Sequence, residues 1–177
     1  VGRALARRRP DEAEHLLAGW REVLGAQVCI EVVSHRSGAR GDRATLSSAF
    51  AARMLAFAGR AGAPAVLTNA VRHMTPEQAP VADVLDAIRR LVPLNPRHLE
   101  RANAQGYLKD SGEMQVVAGE IASAAGMGRA GMQRLLSMTR DLADSCRLDP
   151  GADLGIGSVH VPELDILFPA GAPGLGR

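Results

Sequence analysis

The chain has 177 residues, 46% hydrophobic and 23% charged, enough for one ordinary folded domain and too balanced for a disordered or fibrous protein. A formal charge of +2 and a pI near 8.9 give a mildly basic surface, short of the basic stripe that marks a phosphate-backbone binder. No apolar run approaches the roughly 20 residues that span a bilayer and no charged-then-apolar leader opens the sequence, so no membrane association is expected and a cytoplasmic location is.

Pro10-Asp11-Glu12 opens a helix, with proline tolerated and acids favoured in its first turn. Leu16, Leu17, Trp20, Val23 and Leu24 recur at helical spacing before Gly25 ends it. The β-branched run Gln27 to Val33 predicts a buried strand, and residues 37–41 a loop. Asp42 is placed to cap a helix that carries Leu46, Phe50, Met54 and Phe57 on one face. Pro64 to Asn69 reads as the next strand. Strand, helix and strand at this spacing predict a βαβ unit with parallel pairing.

Beyond Asn69 the pattern turns helical. Thr75-Pro76-Glu77-Gln78 matches a capping box with proline at the first helical position, followed by an apolar stripe of Val81, Val84, Leu85, Ile88, Leu91 and Val92. Pro93 and Pro96 break that helix. Asp110 and Glu113 form a second capping-box pattern ahead of Met114, Val117 and Ile121. After the Gly126 to Gly131 break, Met132, Leu135, Leu136, Thr139, Leu142, Ala143 and Cys146 share a helical face. Ser158 to Val161 reads as strand-like, and Pro169 to Arg177 as a frayed end. Cys29 and Cys146, far apart in apolar surroundings, are expected as buried free thiols. The first residue is Val1, which fits a fragment or a processed chain.

Parallel α/β folds gather ligands at the carboxyl ends of their strands. Here those ends hold Glu31-Val32-Val33-Ser34-His35 and Thr68-Asn69-Ala70-Val71-Arg72-His73. The two segments resemble the Glu-Leu-x-x-His and Thr-Asn-Asp-Val-His-Tyr patterns of the polymerase and histidinol phosphatase (PHP) domain of bacterial DNA polymerase III alpha subunits. The helix Val81 to Arg90 is similar to that family's next helix. Gly106 to Met114 is similar to its Tyr-Leu-Lys-Ser-x-x-Glu-Met signature, and Leu142 to Cys146 to its Ala-x-x-Cys helix end. The five matches fall in the family's order from about residue 1 to residue 165, with the error-prone, damage-inducible branch the nearer in flavour.

The resemblance implies an α/β fold: a partial (βα) barrel of PHP type followed by a helical annex. It implies residues 1–75 as later strands and helices of the barrel, 76–148 as the annex joining barrel to polymerase core, and 149–177 as a linker toward a palm that lies outside this chain. It further implies a segment of an error-prone polymerase acting as a scaffold, with magnesium serving the parent enzyme and no cofactor held in this segment. The implied partners are the remainder of the polymerase chain and, through the parent, DNA, a sliding clamp and mutasome proteins. A free-standing PHP-type metal-dependent phosphoesterase or nuclease is the alternative.

Departures from the pattern decide the expected site. Ala70 and Arg72 replace two family ligands; alanine has no donor atom, and arginine is a fixed cation without a lone pair to give. His35 stands at a ligand position and is expected as a relic, because one imidazole alone makes no metal site. His73 would project from the opposite face to positions 70 and 72 and is expected as a loop residue. Glu31 reads as a paired structural carboxylate, and His15, His98 and His160 as surface residues. Ser34 and His35, adjacent on a strand, point apart and make no nucleophile–base pair. Gly155-Ile156-Gly157 is too short for a phosphate loop, and Arg7-Arg8-Arg9 reads as a solvated basic turn. No catalytic or metal-binding residue is therefore expected in the segment. A barrel lacking its first strands leaves an open edge and an uncovered apolar face, so the isolated chain is expected to be poorly soluble.

Overall fold

A computed structural model describes residues 1–38, 45–99 and 101–157. It is a mixed α/β structure, mostly helical, built on a two-stranded parallel sheet. One compact unit comprises Val1–Ala143 and a second Asp144–Arg177. In chain order the first holds α1 (Gly2–Ala6), α2 (Pro10–Leu24), β1 (Ile30–Val33), α3 (Ser48–Arg60), β2 (Ala65–Thr68), α4 (Ala79–Arg90) and α5 (Ser111–Ala124), then nearly all of α6 (Gly128–Ser145).

The βαβ expectation holds: β1 and β2 pair in parallel, with Ile30 opposite Ala65 and Val33 opposite Thr68. The first strand is shorter than its β-branched run: Gln27 ends the 3₁₀ turn Gly25–Gln27, and Val28 and Cys29 lead into the strand at Ile30. Along β1 the side chains alternate, Ile30 and Val32 buried and Glu31 exposed, so one face of the sheet packs inward. The outer edge of β2 is met by α6, whose Thr139 hydroxyl oxygen accepts from the Leu67 amide at 2.8 Å. Phe57, Leu17, Ile121, Leu135, Val32 and Val117 are the largest fully buried side chains and bring four helices and the sheet into one core.

Cap chemistry explains several boundaries. Ser47, not Asp42, caps α3, its hydroxyl accepting from the Phe50 amide at 3.2 Å; Asp42 lies outside the described residues. Both arms of the Asp110–Glu113 capping box form, at 2.8 and 3.0 Å, and start α5 where expected. The Thr75 box does not form. Gln78 accepts from the Met74 amide instead, Pro76–Gln78 makes a 3₁₀ turn, and α4 begins at Ala79.

Two expected core stripes face solvent. On α2 only Ala13 and Leu17 are buried, while Leu16, Trp20, Val23 and Leu24 are exposed. On α4 the buried positions are Ala79, Ala82 and Asp83, and Val81, Val84, Leu85, Ile88 and Leu91 lie outward. The helix seats its polar side on the protein because that side carries two carboxylates matched by arginines. Both cysteines are free thiols, but neither is buried as expected: Cys146 is exposed, one residue past the end of α6, and Cys29 is half-buried. The strand-like residues 158–161, the expected frayed end and His160 fall outside the described residues.

In the second unit, described to Gly157, Asp149 organises a turn: its side chain accepts from the amides of Gly151 and Ala152, both at 2.8 Å. The Gly155 amide bonds back to the Gly151 carbonyl, so the glycines here serve a turn and not a phosphate loop.

Candidate functional site

The carboxyl ends of β1 and β2 meet at one side of the sheet, as the parallel arrangement requires. Asn69, one residue past β2 and 5% exposed, pins the site. Its amide nitrogen donates to the Gln105 carbonyl at 2.9 Å and to the Tyr107 carbonyl at 2.6 Å. These bonds draw residues 103–108 alongside residues 69–73, where Arg72 N donates to Gly106 O at 2.8 Å and Leu108 N to His73 O at 3.0 Å. A parallel bridge between His73 and Tyr107 continues the sheet direction in miniature.

His35 and Arg72 flank Gly106. A Cβ on that glycine would meet His35 Cε1 at 3.3 Å and Arg72 Cγ at 3.7 Å, so a side chain there would press the imidazole back by a few tenths of an ångström. The His35 ring donates from Nε2 to the Asn69 carbonyl at 2.8 Å, which fixes the Nε2–H tautomer. Burial holds this imidazole below its ordinary pKa, outweighing the bond to Asn69, with Lys109 and His73 pushing the same way as burial. His35 is therefore a neutral, hydrogen-bonded side chain at neutral pH.

Around these residues lies a cleft of about 230 Å³, lined on its far wall by α4. Arg72 pairs with Asp86 at 2.6 Å. Arg101 forks onto Asp83 through two bonds of 2.7 and 2.6 Å, a geometry suited to guanidinium and carboxylate. The expected site residues thus come together only in part. His35, Arg72 and His73 line the cleft, His73 donating to the Thr75 carbonyl at 2.9 Å, while Ala70 sits exposed at a positive φ of 41°. Ser34 faces away from His35, bonded to Ser48 at 2.9 Å, and Glu31 accepts from Thr68 at 2.6 Å. His15 is exposed. His98 is half-buried, not on the open surface, because it closes the 3₁₀ turn Pro96–His98 against Arg90.

The residues in place do not fit a divalent ion. Alanine 70 gives no donor, Arg72 brings a fixed positive charge, and both cleft carboxylates are already held by arginines. Among the described residues no three His, Cys, Asp or Glu side chains converge as a metal site. Nor among them is any helix long and apolar enough to cross a membrane.

Sequence reasoning missed the partners: Asp83, Asp86, Arg101, Asn103 and Gln105. Their signal was a pair of acids three apart on a helix otherwise apolar on its other side, facing an arginine-bearing loop. The Tyr107 to Glu113 signature proves to be bracing. Tyr107 donates to Glu113, and Lys109, 8% exposed, donates to the Gln105 carbonyl and lies 4.0 Å from the Tyr107 ring centroid. Arg36 ties the same loop to α5 through Glu120 at 2.8 and 2.9 Å.

The cleft at the strand ends of this small parallel sheet is knitted by ion pairs. Among known proteins the chain is similar to the DNA polymerase III subunit alpha of Xylella fastidiosa, 28% identical over 168 residues. The match takes in 94% of this chain and 12% of that relative's length, and it supports a relation to polymerase alpha subunits. No family model and no solved structure matches the chain.

Proposed function

We propose that this chain is a scaffold segment of a bacterial DNA polymerase III alpha-type enzyme, of the error-prone kind. It corresponds to the later part of a PHP-type barrel, residues 1–75, a helical annex, residues 76–148, and a linker toward the palm, residues 149–177. The observation that carries the reading is the similarity along 94% of the chain to a polymerase alpha subunit of which it spans 12%. The cleft supports the scaffold role. Where the resembling family places ligands, this chain places Ala70 and the Arg72–Asp86 ion pair, so the strand ends are held by side chains instead of by a metal. The segment supplies no catalytic group; through the parent enzyme, in the cytoplasm, it works with magnesium, DNA, a sliding clamp and mutasome proteins. Nothing in the cleft favours a free-standing phosphoesterase.

The test is primer extension by the native polypeptide, isolated with an antibody against this segment, on intact and abasic templates. Magnesium-dependent extension on both is expected. Extension on the intact template alone would remove the error-prone assignment, and none on either would remove the polymerase reading.

A further inference from the structure

Four helices end in the same way. In α1, α3, α4 and α5 the last turn closes with paired backbone bonds and a residue of positive φ, the arrangement that favours glycine. Gly62 and Gly126 fill that position after α3 and α5, at φ 60° and 71°. After α1 it is Arg8, at φ 57°, whose amide bonds to the Leu5 carbonyl while that of Arg9 reaches Ala4. A side chain in this conformation strains the backbone. Arg8 therefore occupies a position where a side chain costs backbone strain, as Leu91 does at φ 54° after α4.

Arg8 borders an open groove of about 630 Å³ between the α1–α2 turn and α3, away from the ion-paired cleft. Across the groove α3 presents Ala49, Arg53, Ala56 and Arg60. Arg53 and Arg60 are seven residues apart, nearly two full turns, which sets their helix positions about 10.5 Å apart along one face. The alanines between them keep the floor low. Arg53 lies over the Phe50 ring at 5.2 Å, which orients its guanidinium. Among the described residues no carboxylate lines the groove and no ion pair engages Arg8, Arg53 or Arg60. The cleft arginines Arg72 and Arg101, by contrast, each hold an aspartate.

We infer that this groove binds the phosphate backbone of a nucleic-acid strand, with Arg8 on one wall and Arg53 and Arg60 on the other. Three arginine forks spread along a low, open channel match a repeating anion better than a single one, and guanidinium suits phosphate oxygens. The site uses none of the cleft residues and stands independently of the polymerase reading. Its affinity is electrostatic and sequence-tolerant, since among the described residues no aromatic side chain lines the channel to stack a base.

The test is a fluorescence-anisotropy titration of this chain, carrying Leu85→Gln and Ile88→Gln outside the groove to keep it soluble, with a labelled, mixed-sequence single-stranded oligonucleotide over a range of salt. Three phosphate contacts on a single strand give a log–log salt slope of about −2, so affinity should weaken roughly twentyfold between 50 and 200 mM salt. Arg8→Gly and the pair Arg53→Gln, Arg60→Gln should each weaken binding and flatten the slope by about 0.7 per arginine removed. Arg8→Gly separates binding from folding, because glycine relaxes the backbone there: its melting temperature should hold or rise while affinity falls. Affinities and slopes unchanged by both variants would overturn the inference. So would polyglutamate of matched charge binding as tightly as the oligonucleotide, which would make an acidic protein segment the ligand.

Discussion

Arg72 and Asp86 meet at 2.6 Å across the cleft, the guanidinium from the loop after β2 and the carboxylate from α4. Asp86 also pairs with Arg89 at 3.4 Å, so it gathers two cations. With Arg72 about half exposed the pair is partly screened, and its worth is about 1 kcal/mol or less. A double-mutant cycle of Arg72→Ala and Asp86→Ala should return a coupling of that size, shrinking as salt is raised. A coupling indistinguishable from zero at low salt would deny the pair its bracing role.

Asn69 should be the most sensitive polar residue of the site. Replacing it with alanine strands two loop carbonyls, those of Gln105 and Tyr107, and about 2–3 kcal/mol of stability should be lost. Chemical denaturation of Asn69→Ala measures this directly. A change under about 0.5 kcal/mol would show the loop to be held by its other bonds.

His35 gives stability a pH dependence of definite sign. Its pKa in the folded chain lies below the usual 6.5, so as pH falls the unfolded chain takes up a proton first. The contribution is complete above that value and drains as pH drops through the lower, folded one. Melting temperature should therefore fall further between pH 7.5 and 5.5 in the wild-type chain than in His35→Gln. Parallel falls in the two proteins would contradict it.

The outward stripe of α4 should govern solubility. Leu85 is 59% exposed, Ile88 64% and Leu91 92%, a contiguous apolar ridge beyond what single scattered surface residues explain. The isolated chain should bind a hydrophobic dye and aggregate. Leu85→Gln with Ile88→Gln should suppress both and shift folding stability by less than about 0.5 kcal/mol, because neither side chain is in the core. A dye-silent, freely soluble wild-type monomer would contradict the exposure of the ridge.

The sheet and helices were legible because local chemistry agreed with the final structure. Proline opens α2, Gly25 closes it, and the Asp110–Glu113 box starts α5 with both of its bonds made. The direction of the apolar stripes was not legible. Periodicity shows that α4 has two faces, but only the placement of Arg72 and Arg101 decides which one meets the protein, and those partners come from distant loops. The cap at Ser47 was masked by a second good candidate, Asp42, five residues earlier. At the site, that Ala70 and Arg72 offer no lone pair to a metal could be read from residue type alone. That Arg72 joins a carboxylate on α4 depends on the bend Asn69 imposes, which no spacing reveals.

The size of the native polypeptide bears most directly on the scaffold assignment. An immunoblot of cell lysate with an antibody raised against this segment should show a band several-fold larger than 177 residues, in keeping with a relative of which the segment spans 12%. A native product of only 177 residues would contradict the assignment and leave an independent ion-paired domain in its place.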